Sequence, residues 1–393
     1  MRYNFDKIIE RENTNCVKYD LRKQIFGTTD LIPMWVADMD YETPDVIMDA
    51  IKKRLEHPIL GYSFRPESFY KSIIDWMEIR HQWDVKKEWI SFSPGVVPAL
   101  NMIVLGLSEP LDKIIVQPPV YFPFFTAIEN HGRKLINNPL IIKNSRLSID
   151  FNDLNAKIKN GAKMLFLCNP HNPGGSVWKR EELLKIADLC LKNNVVVVSD
   201  EIHSDLIFSP HKHIPFASLS KEIADITVTC MAPSKTFNIA GLSTSFLVIS
   251  NQELLKKYNK TLDNIHVGQG NIFGAIALET AYNQGSKWLD ELLDYLKKNI
   301  DFVEDFLKNN IPEIKICRPE ATYMIWLDCS DLNMDDKILK RFFIKETKIG
   351  LNDGSVFGIG GEGFQRMNIA CPLSVIEQAL FRLKNALKIN ASN

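Results

Sequence analysis

Short apolar runs alternate with amphipathic stretches through the middle of this chain. The runs at residues 90–93, 113–117, 163–168, 194–199, 226–230 and 245–249 predict strands. Residues 195–198 are four consecutive valines, as a strand buried on both faces should read. Between the runs, apolar positions at helical spacing predict helices over 45–55, 69–81, 124–131 and 180–192, and one from Pro94-Gly95 through Leu107. The first begins at Thr43-Pro44, where proline and the following Asp45 suit a first turn, and its stripe is Val46, Ile47, Ala50, Ile51 and Leu55. Strands interleaved with helices predict an α/β fold, with a mostly parallel sheet covered on both faces. Such a sheet carries its ligands beyond the carboxyl ends of its strands.

Past residue 270 the pattern changes. Helices are predicted over 275–282 and 288–309, Pro312 interrupts, and strands at 323–327 and 364–370 flank a helix over 335–345. The division that follows is an N-terminal segment over 1–45, a large domain over 46–280 and a smaller α/β domain over 281–393. The first forty-five residues show few periodic runs and read as irregular. They are expected to join the small domain and the rim of the site.

Composition narrows the function classes. The chain has 393 residues, 45% of them hydrophobic and 24% charged, with a formal net charge of -1. That balance gives no basic surface for nucleic acid or an anionic membrane. No run approaches eighteen uncharged apolar residues, and no apolar stretch follows the charged start, so neither a membrane span nor a signal peptide is expected. The seven cysteines are scattered without a CxxC pair, which argues against a disulfide framework or a thiolate metal site. The expected location is a reducing cytoplasm, and no metal is expected.

The chemistry gathers where the predicted strands end. Residues 165–168 run into Asn169-Pro170-His171-Asn172-Pro173-Gly174-Gly175. Residues 195–199 run into Asp200-Glu201-Ile202-His203, and 226–230 run towards Ser234-Lys235. Each strand delivers a polar group to the same sheet edge. Residues 90–93 lead to Gly95-Val96-Val97 at a helix start, whose free N–H groups suit an anion. Taken singly, each has a plainer reading: Lys235 as surface charge, Asp200 as a cap, Asn172-Pro173-Gly174 as a turn, His203 as packing, Tyr121 as core. Together they suit pyridoxal 5'-phosphate. That cofactor needs a lysine amine for its Schiff base and an anion beside its pyridine nitrogen, here Lys235 and Asp200. It also needs a donor to its phenolic oxygen, a flat partner for its ring and hydroxyl and N–H groups for its phosphate. Asn172, Tyr121, and Ser234 with residues 95–97 answer these needs.

The segments SKTFNIAGL, NPHNPGG and SDEIH resemble the lysine, asparagine and aspartate motifs of fold type I pyridoxal-phosphate enzymes, in the class I and II aminotransferase superfamily. The resemblance covers essentially the whole chain. It implies a large domain with a mostly parallel seven-stranded sheet, a smaller α/β domain and a homodimer with sites at the subunit interface. A narrower likeness, carried by MWVADMDYETP, GYSFRPESFY, SPGVVPAL, QPPVYFPF, CNPHNPGGSVW and DEIHSDLIF, is to the cystathionine beta-lyase and C–S lyase group. Histidine at 203, where the wider superfamily usually has tyrosine, also looks like that group. Ser243 stands where many aminotransferases have a phosphate-binding arginine, so the phosphate must rely on other groups.

The roles the resemblance implies are Lys235 as Schiff-base lysine and proton shuttle and Asp200 as partner of the pyridine nitrogen. Asn172 is implied at the phenolic oxygen and Tyr121 stacked on the ring. His203 is implied in the cofactor site, with Gly95, Val96, Val97 and Ser234 at the phosphate. Tyr62 would reach the neighbouring subunit's phosphate. Arg366, in GFQRMNIA, would clamp the substrate α-carboxylate, a task its planar fork suits. Asn172, Val36 and Ala37 would also border the substrate. The implied reaction is β-elimination from L-cystathionine or another S-substituted L-cysteine, giving a thiol, pyruvate and ammonia. Transamination uses the same Lys235, Asp200, Asn172 and Arg366 and stays open as the alternative. A regulatory protein that retains the cofactor is the second alternative.

Overall fold

The computed structural model describes residues 3–391. Its large sheet has seven strands: β1 (Ile90–Ser93), β2 (Lys113–Val116), β3 (Lys134–Asn137), β4 (Ala162–Cys168), β5 (Val196–Asp200), β6 (Thr227–Met231) and β7 (Ser245–Val248). The spatial order is β1-β7-β6-β5-β4-β2-β3. Only β7 runs against the others, pairing antiparallel with β1 and β6. The remaining carboxyl ends therefore share one edge. Register aligns Cys168 with Asp200, and Asp200 with Cys230.

Alternation along each strand fills two cores. From β4, Met164 and Phe166 turn to one face with Val198, Val228 and Leu247; they pack under α3 (Val96–Leu107), α4 (Pro123–Glu129) and α7 (Gln252–Ile265). Leu165 and Leu167 turn to the other face with Val197. They pack under α5 (Phe151–Lys159) and α6 (Arg180–Lys192). Burial on both faces is why these strands read as continuous apolar runs. Two further helices, α1 (Asp45–Leu55) and α2 (Glu67–His81), pack on α8 (Ile272–Gln284).

Helix α9 (Ser286–Asn310) leads to a second sheet. This sheet is antiparallel, in the order β8 (Lys315–Cys317), β9 (Met324–Asp328), β11 (Phe364–Asn368) and β10 (Asn352–Asp353). Helices α10 (Asp336–Phe342) and α11 (Leu373–Ala391) complete it. The first forty-five residues are more ordered than their sequence suggests. Short helices span Val17–Asp20 and Arg22–Phe26, and Ile32-Pro33 pairs parallel with Ile349-Gly350. Asn368 on β11 then holds the next stretch, donating from Nδ2 to the carbonyls of Val36 and Asp38, each at 2.6 Å. Residues 35–38 are thereby drawn over the carboxyl edge of the large sheet.

Candidate active site

Five strand ends build one cavity of about 220 Å³. Past β1, Gly95 caps α3, and the first helical hydrogen bond runs from the Ala99 N–H to the Gly95 carbonyl. Pro98 has no N–H, so Val96 and Val97 keep the free donors of this helix start. Past β2 comes Tyr121, past β4 Asn172, at the end of β5 Asp200 with His203, and past β6 Ser234 and Lys235. All line the cavity together with Gly95, Val96, Val97 and Ala37.

The electrostatics are those of a site built for charge. Lys235 Nζ donates to the Ala37 carbonyl at 2.7 Å. Burial, reinforced by Arg366, pulls its amine down to about 8 against the opposing effects of Asp38 and Asp200. An amine so placed is partly free base near neutral pH. Burial pushes the Asp200 carboxyl up to about 7, with Glu201 adding to the rise. The Ile202 N–H, at 3.2 Å, is its one hydrogen-bond donor among the described residues. His203 is pulled down to about 3, chiefly by burial and then by Lys235 and Arg366, so its ring is neutral. Its Nδ1 is buried without a partner among the described residues.

Arg366 lies beside this cavity, on β11, and is buried. Its Nη1 donates to Asn172 Oδ1 at 3.0 Å; Nη2 donates to the Trp35 carbonyl at 3.0 Å and Asn352 Oδ1 at 2.7 Å. The guanidinium carbon sits 4.8 Å from the centre of the Phe357 ring. Every acceptor is neutral, and burial draws the guanidinium down to about 10. A buried cation with no carboxylate among the described residues is costly. It becomes favourable when an anion arrives.

These residues fit pyridoxal phosphate. A buried carboxylate without a cation awaits a protonated ring nitrogen, an amine points into the same space, and free N–H groups stand where a phosphate would be held. Ser243, the position of the missing arginine, does line the cavity, and with Thr244 it brings hydroxyls rather than charge.

Two of the residues that the motifs single out behave differently from the rest. Tyr62 is 98% exposed, in the irregular stretch between α1 and α2, and lies outside the cavity. Val36 contributes its backbone, through the bond from Asn368, rather than a cavity wall. No motif in the sequence points to Asn352 or to Tyr323, whose hydroxyl donates to the Ala37 carbonyl at 3.0 Å; Asn368 stands in GFQRMNIA, two residues past Arg366, where the motif singles out only the arginine. The signal for Asn352 is its register opposite Arg366 in a strand of two residues, too short to read from alternation.

The model of the class I and II aminotransferase family matches residues 29–383. The chain is 48% identical to cystathionine beta-lyase PatB of Bacillus subtilis, over 98% of this chain and 100% of that protein. Cystalysin from Treponema denticola, whose crystal structure contains pyridoxal 5'-phosphate, superposes with a TM-score of 0.96 at 40% identity, covering 99% of both chains. The pyridoxal-phosphate-bound C–S lyase from Staphylococcus hominis gives 0.91 at 36%, covering 98% of both. With full-length matches on both sequence and structure, the chain belongs to the class I and II aminotransferase family, in its cystathionine beta-lyase and C–S lyase group.

Proposed function

We propose that the protein is a pyridoxal-phosphate-dependent carbon–sulfur β-lyase, cleaving L-cystathionine or other S-substituted L-cysteines to a thiol, pyruvate and ammonia. The observation that carries the substrate class is Arg366. It is a buried guanidinium with only neutral acceptors, beside the Lys235 amine, and it suits the α-carboxylate of an amino acid. The relatives named above favour sulfur as the leaving atom.

When bound, the cofactor supplies an aldehyde carbon and a ring that accepts electrons. Asp200 would keep the ring nitrogen protonated, Tyr121 would stack on the ring, Asn172 would contact its phenolic oxygen, and His203 would border the cofactor. Val96 and Val97 N–H groups, with the Ser234 hydroxyl and the Gly95 turn, would hold the phosphate. Arg366 and Asn172 hold the substrate carboxylate, with Val36 and Ala37 bordering it. Lys235 takes the α-proton and hands a proton to the departing sulfur. Water then completes the release of pyruvate and ammonia.

We further infer a homodimer. Tyr62 stands among the exposed Ile59, Leu60 and Phe64, an apolar stretch suited to a second subunit, where the tyrosine would complete that subunit's phosphate site. We divide the chain into residues 1–45, 46–280 and 281–393, as the sequence pattern suggests. No helix of the described residues is long and apolar enough to cross a membrane. All seven cysteines are unpaired, which supports a reducing cytoplasm.

The test is to add L-cystathionine to the cofactor-loaded protein and follow pyruvate, free thiol and the visible cofactor band together. Equal release of pyruvate and thiol with a persistent band is the expected result. Loss of the band without thiol, reversed by a keto acid, would replace this reading with an aminotransferase.

A further inference from the structure

Two carboxylates with buried side chains, Glu201 and Asp205, lie in the segment that carries Asp200 and His203. Glu201 follows Asp200. Its Oε1 accepts from the Ser199 hydroxyl at 2.7 Å and the Phe216 N–H at 2.9 Å, and its Oε2 lies 2.7 Å from His213 Nε2. Asp205 lies one turn further along. Its Oδ1 accepts from Trp76 Nε1 at 3.0 Å and meets His81 Nε2 at 2.9 Å, while its Oδ2 accepts from the Thr236 hydroxyl at 2.8 Å. The side chains of His81 and Asp205 are 3% and 4% exposed. The His81 and His213 rings meet edge to face at 5.5 Å, so the two pairs form one cluster.

Thr236 is the residue after Lys235, and it is fully buried. The turn that carries them has few backbone bonds, among them Phe237 N–H to Pro233 carbonyl at 2.9 Å and Ile239 N–H to Ser234 carbonyl at 3.1 Å. Side chains pin it instead. On one side, Asn238 Nδ2 donates to the carbonyls of Met39 and Tyr41 at 3.0 and 2.9 Å. On the other, the Thr236 hydroxyl is tied to Asp205. Burial alone would raise the Asp205 carboxyl; the bonds from His81, Thr236 and Trp76 outweigh it and hold it below its ordinary value. It therefore stays an anion, the stronger acceptor for the hydroxyl.

We propose that Asp205, held by His81 and Trp76, is a positioning residue for Lys235. Through the Thr236 hydroxyl it fixes the backbone from which the lysine side chain departs. An amine that must serve both the cofactor and the substrate proton needs a fixed origin, because small misplacements of a reacting group are costly. No substrate or cofactor contact is assigned to Asp205 itself. The inference rests on the cofactor reading above.

The test compares Thr236→Val, which removes the hydroxyl at constant shape, with Thr236→Ser, which keeps it. The charged groups around the Lys235 amine are Arg366, Asp38 and Asp200, and all three stay in place. In the holoenzyme, Thr236→Val is expected to move the pH midpoint of the visible cofactor band by about one unit. It should also lower kcat about ten-fold while KM changes by less than about two-fold. Thr236→Ser should restore both. A band that titrates in Thr236→Val as in the unmodified protein overturns the proposal. Should Thr236→Val not fold, His81→Gln loosens Asp205 without touching the hydroxyl and should move the midpoint; an unmoved midpoint overturns the proposal equally. If the unmodified protein shows no such band, the cofactor reading fails by itself. The same variants are then compared by the rate at which trinitrobenzenesulfonate modifies Lys235, and equal rates overturn the positioning role.

Discussion

Arg366 Nη1 donates to Asn172 Oδ1 at 3.0 Å, joining residues 194 positions apart and two different sheets. The bond ties the guanidinium proposed to clamp the substrate carboxylate to the loop that lines the cavity. The clamp itself is an unneutralised buried charge, which makes its removal an unusual experiment. Arg366→Met should lower kcat/KM by a factor equivalent to about 2–5 kcal/mol. The ligand-free protein should lose little stability, because relief of a buried charge with no carboxylate beside it among the described residues offsets the three acceptors left without a donor. Chemical denaturation beside a pyruvate assay checks both. A large loss of stability would show that the three neutral acceptors already balance the charge.

Lys235 should be reactive at a lower pH than an ordinary lysine. With its amine drawn down to about 8, the free-base fraction rises through that pH instead of about 10.4. The rate at which the cofactor-free protein takes up pyridoxal phosphate should therefore climb with pH and level off above about 8. Stopped-flow absorbance gives this profile. Lys235→Ala should lose covalent attachment and lower β-elimination by about 10²–10⁴-fold or more.

The strand ends were the legible part of this site. Continuous apolar runs such as 195–198 mark strands covered on both faces, and the polar residue after each run falls on the shared carboxyl edge. The structure puts Asn172, Asp200 and Lys235 there, with β5 ending one residue later than the sequence pattern suggests. Less could be read where structure is short or weakly patterned. The helices Val17–Asp20 and Arg22–Phe26 are too brief for periodicity to show. Helix α7 is different: Leu255, Tyr258 and Leu262 recur at helical spacing behind the Asn251 cap, so its pattern is legible although it is not among the helices predicted above. Asn352 and Tyr323 join the site through pairings between distant segments, and Asp205 reaches Thr236 from thirty-one residues away. Such meetings are set by tertiary packing, and no local pattern carries them.

Asp200 should make stability depend on pH in opposite ways with and without cofactor. In the cofactor-free protein its carboxyl is raised to about 7 by burial, above an ordinary value of about 3.9. Between those values the folded state holds the proton that the unfolded state has lost. This group's contribution therefore falls as pH rises from about 4 to 7. Asp200→Asn removes that dependence. The variant should melt higher than the unmodified cofactor-free protein at pH 8, and the two should converge near pH 4. If Asp200 faces the protonated ring nitrogen when pyridoxal phosphate is bound, the order should reverse, and Asp200→Asn should also lose activity. Thermal melts at both pH values, with and without cofactor, check all arms.

Tyr62 gives the sharpest test of the dimer. Its side chain is 98% exposed in the single chain and flanked by exposed Ile59, Leu60 and Phe64, so it makes little contribution to its own subunit. If it completes the partner's phosphate site, Tyr62→Ala should weaken cofactor retention in both subunits while leaving the isolated fold intact. Lys235→Ala should lose activity for a separate reason. Each hybrid dimer of the two variants would then carry one site with Lys235 from one subunit and Tyr62 from the other. Mixing the two variants under conditions that exchange subunits should raise β-elimination above the sum of the two alone. The regained activity should follow the fraction of hybrid dimers separated by charge-tagging one partner. No recovery, in a mixture shown to contain hybrids, would mean that Tyr62 serves its own subunit or none.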